Sequence, residues 1–230
     1  MERTSLNLSA FREPRGVMRI LQLIFAIFAF STTTGFSGTV SIKAQCPSAQ
    51  PAEGTINYGY PFALDDAGVT ISCPPPTPGT APPKPFEVRL NGNVSSDAEF
   101  FVATGILSLL YCLAIIGVYA FFEELYKSNA KFPMIDFLMT CILALLWISS
   151  SAAWANGLTY VKTVTDSATV QKMCMSKGGQ PCNAVASSYS TLNISIMLGF
   201  LNFFLWASDL WFLYKETPWF DNRQAGSGPA

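Results

Sequence analysis

Four long stretches without a charged residue constrain this chain more than any other feature of its sequence. They cover residues 20–42, 100–122, 137–161 and 183–208. A bilayer core about 30 Å thick needs about 20 mostly apolar helical residues, so each stretch is long enough to cross it. Because 50% of the residues are hydrophobic and 13% are charged, too little polar surface remains to enclose four buried helices. The sequence therefore predicts an integral membrane protein with four spans.

The predicted architecture is an all-α membrane protein with one compact four-helix transmembrane bundle at residues 19–215. The predicted spans lie at about 20–40, 100–122, 135–157 and 190–214. Two outer, luminal loops at 43–99 and 161–188 connect them, with a cytosolic N-terminus at 1–18 and a short cytosolic tail at 216–230. The first span could instead be a cleaved signal peptide. A retained anchor is favoured because the apolar stretch is long and no Ala-x-Ala site follows it.

Basic residues indicate which side of the membrane each segment faces, because Lys and Arg near short loops stay on the cytosolic side. With the N-terminus in the cytosol, the short inner segments carry Arg3, Arg12, Arg15, Arg19, Lys127, Lys131, Lys215 and Arg223. The much longer outer loops carry Lys43, Lys84, Arg89, Lys162, Lys172 and Lys177. The higher density in the inner segments predicts that both termini are cytosolic.

The composition excludes several classes of function. The chain contains no histidine, which removes His-dependent general base catalysis and every metal site that needs an imidazole. A formal charge of -1 gives no basic field for a nucleic acid. We therefore expect no enzymatic activity, no cofactor, no metal site and no nucleic-acid partner.

The six cysteines divide by location into Cys46 and Cys73 in the first outer loop, Cys174 and Cys182 in the second, and Cys112 and Cys141 within spans. A compartment outside the cytosol permits disulfides. Among the connectivities that four cysteines allow, pairing within each loop is favoured. Zinc binding is the alternative, but neither spacing resembles C-x2-C.

The first outer loop carries two further signals. Residues 73–85 are rich in proline, which favours extended polyproline geometry and predicts a stiff spacer. Asn93 begins the sequon Asn-Val-Ser on the side where glycosylation occurs. The sequons at Asn7 and Asn193 are predicted to be unmodified, because one is cytosolic and the other lies in the membrane.

Charged residues at the edges of the spans are predicted to reach the cytosolic interface separately. Arg19 can snorkel from the start of span one. Asp136 lies near Lys131, and Asp209 lies about 9 Å along its helix from Lys215 at a rise of about 1.5 Å per residue. No ion pathway is therefore predicted. Trp211 and Trp219 are predicted to be interfacial anchors.

Small residues spaced by four in three spans predict close helix packing. The stripes are Ala29, Thr33 and Ser37; Ser149, Ala153 and Gly157; and Thr191, Ser195 and Gly199. In span three, Lys131, Phe137 and Leu143 fit a loose basic-aromatic-aliphatic pattern proposed for cholesterol contact. These three residues are a candidate cholesterol site.

Several short strings resemble the synaptophysin family at the same relative positions. They are FREP at 11–14, LIFAIFAF at 23–30, YPF at 60–62, AEFFV at 98–102, DFL at 136–138, AWA at 153–155, GFLN at 199–202, LWF at 210–212 and KET at 215–217. The resemblance extends from Phe11 to Trp219 and includes both cysteine pairs. The short tail resembles the pantophysin and mitsugumin types or a truncated synaptophysin.

This resemblance implies a MARVEL-type tetraspan protein of synaptic or other small transport vesicles. Family members oligomerise, associate with cholesterol and bind the vesicle SNARE synaptobrevin, which implies roles in membrane organisation, partner sorting, exocytosis and retrieval. Two other hypotheses stay open from the residues. One is an oligomeric channel or transporter subunit, suggested by Asn193, Asn202 and Asp209. The other is a tetraspan scaffold at the cell surface.

Overall fold

The computed structural model describes residues 13–48, 50–122, 126, 131–178, 180–215 and 217. Several predictions fall outside these residues. They concern the N-terminal segment before residue 13, the sequon at Asn7, Lys127, the Trp219 anchor and nearly all of the tail.

Four helices are long and apolar enough to cross a membrane: α1 (Pro14–Thr34), α2 (Ser95–Phe121), α3 (Lys131–Val164) and α5 (Ser190–Tyr214). The most apolar window of each has between 28% and 39% of its residues buried inside the protein. The remaining residues of these windows are partly or fully exposed, which suits helices surrounded by lipid. The four-helix prediction is confirmed, although α3 is longer than the predicted span at both ends.

The chain divides into two compact units. The first, called the helical unit, consists of the described parts of Met1–Ser31, Phe101–Ala152 and Ser195–Ala230. The second, called the sheet unit, consists of the described parts of Thr32–Phe100 and Ala153–Ile194. Each long helix therefore contributes one part of its length to each unit.

The helical unit is packed around aromatic side chains and close backbone contacts. The indole N–H of Trp147 donates to the Ser108 hydroxyl at 2.9 Å, and the Phe101 ring meets Trp147 edge-on at 5.7 Å. A methyl group added at Gly199 would lie 2.6 Å from the Phe101 ring and 2.4 Å from Ser151 Oγ. Gly199 therefore permits the close helix approach that its stripe of small residues predicts.

The fold is mostly helical, as predicted, but both connecting segments also contain strands, which the all-α prediction did not include. β1 (Ser37–Ala44) lies between β2 (Ala52–Gly59) and β5 (Cys182–Ala186), and both pairings are antiparallel. In this register Ile42 lies opposite Gly54 on one side and Ala184 on the other. One sheet therefore contains strands from both connecting segments.

The start of β1 also corrects the first predicted span. Helix α1 ends at Thr34 and β1 begins at Ser37, so Ser37 is not on the helical stripe with Ala29 and Thr33. Along β1 the buried side chains of Val40, Ile42 and Ala44 alternate with more exposed ones. This period of two is typical of a half-buried strand, and the absence of charge before Lys43 concealed it.

A second, two-stranded sheet is formed by β3 (Gly68–Ile71) and β4 (Phe86–Arg89). The connection between them contains the proline-rich run, which has no helix or strand and is mostly exposed. A turn within it is closed by the Thr80 hydroxyl, which donates to the Thr77 carbonyl at 2.7 Å. The predicted spacer is therefore the long loop of a β-hairpin.

The second connecting segment contains helix α4 (Ser167–Gly178) before β5. The Asp166 carboxylate accepts a hydrogen bond from the backbone N–H of Ala168 at 3.0 Å. This is the arrangement by which Asp caps a helix N-terminus. Both outer segments, which were predicted as loops, therefore contain regular secondary structure.

Aromatic residues form the core of the sheet unit. The Phe62 ring is fully buried and contacts the Trp154 ring at 5.0 Å between centroids. Phe36 packs on Phe62 and on Tyr58 with centroid distances of 6.0 Å each. Because Tyr58 is 6% exposed, burial raises the pKa of its phenol above the usual value.

Candidate functional site

The most unusual feature of the helical unit is a buried ionic cluster built from three helices. Arg19 of α1 forms ion pairs with Asp136 of α3 at 2.6 Å and with Asp209 of α5 at 3.1 Å. All three side chains are at most 1% exposed. Ionisable groups inside a membrane domain are costly unless they are paired, and they mark functional sites by default.

Helix α2 and Tyr126 complete the surroundings of the Asp136 carboxylate with three phenol donors. The hydroxyls of Tyr111 and Tyr119 donate to its two oxygens at 2.5 Å each, and that of Tyr126 donates at 3.1 Å. Together with the guanidinium of Arg19, four donors therefore reach this carboxylate. Hydrogen bonds of this kind replace the water that a buried charge loses.

Polar side chains next to Arg19 connect it to its neighbours. The guanidinium donates to Gln22 Oε1 at 2.9 Å and to the Thr140 hydroxyl at 2.7 Å. In turn, Gln22 Nε2 donates to Asp209 Oδ2 at 3.0 Å. Gln22 therefore contacts both partners of the Arg19–Asp209 ion pair and fixes their relative position.

Aromatic rings cover the guanidinium of Arg19. Its central carbon lies 5.4 Å from the centroid of Tyr111 and 5.2 Å from that of Trp206. Contacts of a cation with ring faces at these distances are attractive, and more so when water is excluded. The cluster is thus closed by rings from α2 and α5.

Arg15 lies one helical turn before Arg19 and supplies a second buried cation. Its guanidinium lies 5.1 Å from the ring centroids of both Tyr119 and Tyr126 and pairs with Glu13 at 2.6 Å. Tyr119 and Tyr126 therefore contact Arg15 through their rings and Asp136 through their hydroxyls. Among the residues that the structure describes, Arg15 is therefore a second buried cation beside Arg19, and it touches the cluster through these two tyrosines.

The prediction that these charged groups reach the interface separately was wrong. Arg19, Asp136 and Asp209 are buried against one another, and the Lys215 ammonium lies instead over the Trp211 ring at 5.1 Å. A sequence signal existed, because polar partners follow the charges at helical spacing. Gln22 lies three residues after Arg19, and Thr140 lies four after Asp136, so each pair shares one helix face.

Both disulfides have the predicted pairing. Cys46 is bonded to Cys73 and Cys174 to Cys182, with Cα atoms 5.5 Å and 6.2 Å apart. The second bond joins α4 to the first residue of β5. Each connecting segment is therefore closed covalently within the sheet unit.

The predicted glycosylation site lies at an exposed position immediately before α2. The side-chain oxygen of Asn93 accepts a hydrogen bond from the backbone N–H of Ser95 at 2.9 Å. The Nδ2 atom to which a glycan would attach is a different atom of the same amide. Glycosylation of Asn93 stays a prediction.

The three residues of the cholesterol pattern do not share one outward surface. Leu143 is 3% exposed and Phe137 is partly buried, with its ring 6.3 Å from that of Tyr214, whereas Lys131 is exposed. Residues spaced by six on a helix point about 120° apart. The structure therefore separates these side chains.

The polar residues behind the channel hypothesis have separate local partners. Asn202 is buried and donates to the Leu198 carbonyl at 2.9 Å. Asn193 is exposed and accepts from the Lys162 ammonium at 2.8 Å. Of the three, Asp209 belongs to the ionic cluster.

Residues 10–212 match the MARVEL family, which is described as a membrane-associating domain. The matched range covers α1 to α4, α5 up to residue 212, the five strands of the described residues, both disulfides and the ionic cluster. The match and the four apolar helices agree on a multi-pass protein that associates with membranes.

Proposed function

Since the chain belongs to the MARVEL family of membrane-associating domains, we propose that it is a tetraspan protein of synaptic or other small transport vesicles. Its proposed work is organisational and not enzymatic. It gathers membrane and partner proteins during exocytosis and retrieval. The finer assignment to the synaptophysin subfamily rests on the short strings that resemble it.

The observation that supports this proposal best is the distribution of charge in the helical unit. Its buried charges are paired inside, whereas large apolar side chains face outward on the same helices. Leu145 is 65% exposed, Met197 71% and Phe204 62%. Such a surface suits lipid chains and the helices of other membrane proteins, which associate through packing.

We propose that the sheet unit lies on the luminal side and both termini in the cytosol. Two disulfides support this placement, since such bonds persist outside the reducing cytosol. The test is protease added to sealed vesicles that carry chains with an N-terminal epitope. The epitope should be digested while the proline-rich loop is protected. Digestion of the loop with a protected epitope would contradict the proposed sidedness.

The proposed partners are the vesicle SNARE synaptobrevin, further copies of this chain and cholesterol, all by resemblance to the synaptophysin family. An outward apolar helix surface can bind a transmembrane helix. The chain should co-purify from native membranes with synaptobrevin. The complex should be lost when the membrane segment of synaptobrevin is replaced by an unrelated apolar helix. Retention of the replaced form would place the contact elsewhere.

Fractionation tests the vesicle assignment. An epitope-tagged chain at native expression level should sediment with small vesicles and be retrieved after exocytosis. Persistent residence in the endoplasmic reticulum would contradict the proposal. Stable labelling of the sheet unit at the cell surface would instead favour the tetraspan scaffold.

A channel or transporter subunit is the second candidate, and the buried ionic cluster is the observation that favours it, since ion and proton paths contain such groups. Purified chains in liposomes should be assayed for proton and cation flux. Flux that disappears in Asp209→Asn and persists in Asp166→Asn, a control outside the long helices, would favour this candidate. Absence of flux in the unmodified chain would count against it.

A further inference from the structure

A pocket of about 520 Å³ opens among the helix ends of the helical unit. Its lining includes Glu13 and Arg15 at the start of α1, Tyr126, and Phe212 and Lys215 at the end of α5. Pockets of about 300 to 1,000 Å³ are large enough for small organic ligands. This helix-end pocket is separate from the closed cluster around Arg19, although Arg15 and Tyr126 contact both regions.

The charges of the pocket favour an anion. Arg15 is 4% exposed and Lys215 is exposed, so one cation is fixed in the wall and the other can move toward a ligand. Glu13 is paired with Arg15 and is 39% exposed. Among the lining residues that the structure describes, two cations and one carboxylate leave a formal surplus of one positive charge.

The pocket lies where a lipid headgroup can reach it. Lys215 follows the last residue of a membrane-length helix, and Trp211 one turn earlier is 59% exposed. An exposed Trp at the end of a span is typical of the headgroup level. Basic pockets between helix ends at this level bind anionic headgroups.

We propose that the helix-end pocket binds a phosphate monoester on a polyol, the chemistry of a phosphoinositide headgroup. Arg15 and Lys215 contact the phosphate oxygens, and the rings of Tyr126 and Phe212 line the space for the polyol. This inference goes beyond the vesicle role and does not require it. Binding is measured in micelles, so its failure would leave the localisation test unaffected.

The experiment uses the purified full chain in detergent micelles and a fluorescent short-chain phosphatidylinositol bisphosphate followed by anisotropy. Lys215→Glu should weaken binding about tenfold or more, because a charge-assisted hydrogen bond is lost and a repulsion is added. Glu13→Gln should tighten binding about two- to fivefold, because a competing partner of Arg15 is removed. Opposite shifts from two neighbouring substitutions cannot come from misfolding.

Lys131→Glu is the matched control, since it reverses one charge on α3 without changing a lining residue. It should alter binding by less than about twofold. Equal weakening by Lys131→Glu and Lys215→Glu would overturn the proposal in favour of diffuse attraction. Equal competition by phosphatidylserine would overturn the preference for a phosphate monoester.

Two further competitors identify the source of the phosphate. Inositol trisphosphate that competes as well as the lipid would support the pocket and identify its ligand as a soluble phosphate. Competition that requires the acyl chains would support the membrane lipid. Inorganic phosphate that displaces the probe as well as either one would overturn recognition of the polyol.

Discussion

Replacing Arg19 by methionine tests whether the ionic cluster holds the helical unit together. Methionine keeps an unbranched apolar stem and removes the guanidinium. The change eliminates the ion pairs at 2.6 Å and 3.1 Å and the hydrogen bonds at 2.9 Å and 2.7 Å. It also leaves two carboxylates that are at most 1% exposed without their shared cation.

The expected loss in the free energy of unfolding depends on which hydrogen-bond donors each carboxylate keeps. Removing one partner of a buried ion pair costs about 3 to 5 kcal/mol, because the remaining charge is uncompensated. Among the hydrogen-bond donors that the described residues supply, Asp136 keeps three tyrosine hydroxyls and Asp209 keeps the Gln22 amide. Most of the destabilisation should therefore come from the uncompensated charge of Asp209. Arg19→Met with Asp209→Asn should recover about 2 kcal/mol or more, and Arg19→Met with Asp136→Asn should recover less.

The assay is reversible unfolding in mixed micelles with increasing dodecyl sulfate, followed by far-UV circular dichroism. Lys43→Met is the control, because the Lys43–Glu53 pair is 65% and 64% exposed on its two sides. Exposed pairs contribute little, so its midpoint should stay unchanged. A free energy of unfolding for Arg19→Met within about 1 kcal/mol of the unmodified chain would refute the reasoning. So would equal recovery by the two double variants.

Three other predictions concern packing, a disulfide and a modification. Gly199→Ala should cost about 1 to 3 kcal/mol of stability by overpacking against the Phe101 ring. Gly117→Ala should not destabilise the protein, because a methyl group there meets nothing within 4 Å. Equal effects of the two substitutions in a thermal unfolding assay would contradict this prediction. Cys174→Ala opens a disulfide between residues separated by 8 positions. This should lower the stability of the sheet unit by about 2 to 3 kcal/mol, measured by proteolysis of the purified chain in detergent micelles. An unchanged cleavage rate would argue against the estimate. Asn93→Gln should abolish a glycosidase-sensitive mobility shift, and a shift that persists would mean that another residue is modified.

The four long helices could be predicted from runs without charged residues, because the length of such a run can be read directly from the sequence. The same signal failed at the end of α1, since the run continues without charge through Ser37 and into β1. The alternation of Val40, Ile42 and Ala44 with polar residues could have indicated a strand. Its pairing with β5 could not be predicted in this way, because Ile42 and Ala184 are far apart in sequence. The predicted membrane topology and the spacing of the cysteines were enough to predict the pairing of both disulfides.

The ionic cluster was missed for a related reason. Each charged residue has a plausible local solution at the end of its own helix, and the sequence alone does not give the relative level of α1, α3 and α5. Arg19 lies in the second turn of α1 and Asp136 in the second turn of α3, whereas Asp209 lies near the end of α5. A bundle in which α1 and α3 begin at the end where α5 finishes brings these positions together. That arrangement is a property of the tertiary structure and cannot be read from the separate helices.

The cluster also gives the helical unit something that apolar packing cannot provide in lipid. Between membrane helices the hydrophobic effect scarcely favours one register of the helices over another, because lipid chains solvate Leu and Phe as well as a neighbouring helix does. An arginine between two aspartates strongly favours one register. A shift of one helix by one turn, about 5.4 Å, would separate charges that are now 2.6 Å apart. Fixing register is the best attested use of buried polar groups. With register set inside, exposed residues such as Leu145 and Met197 are left free to contact lipid and partner helices.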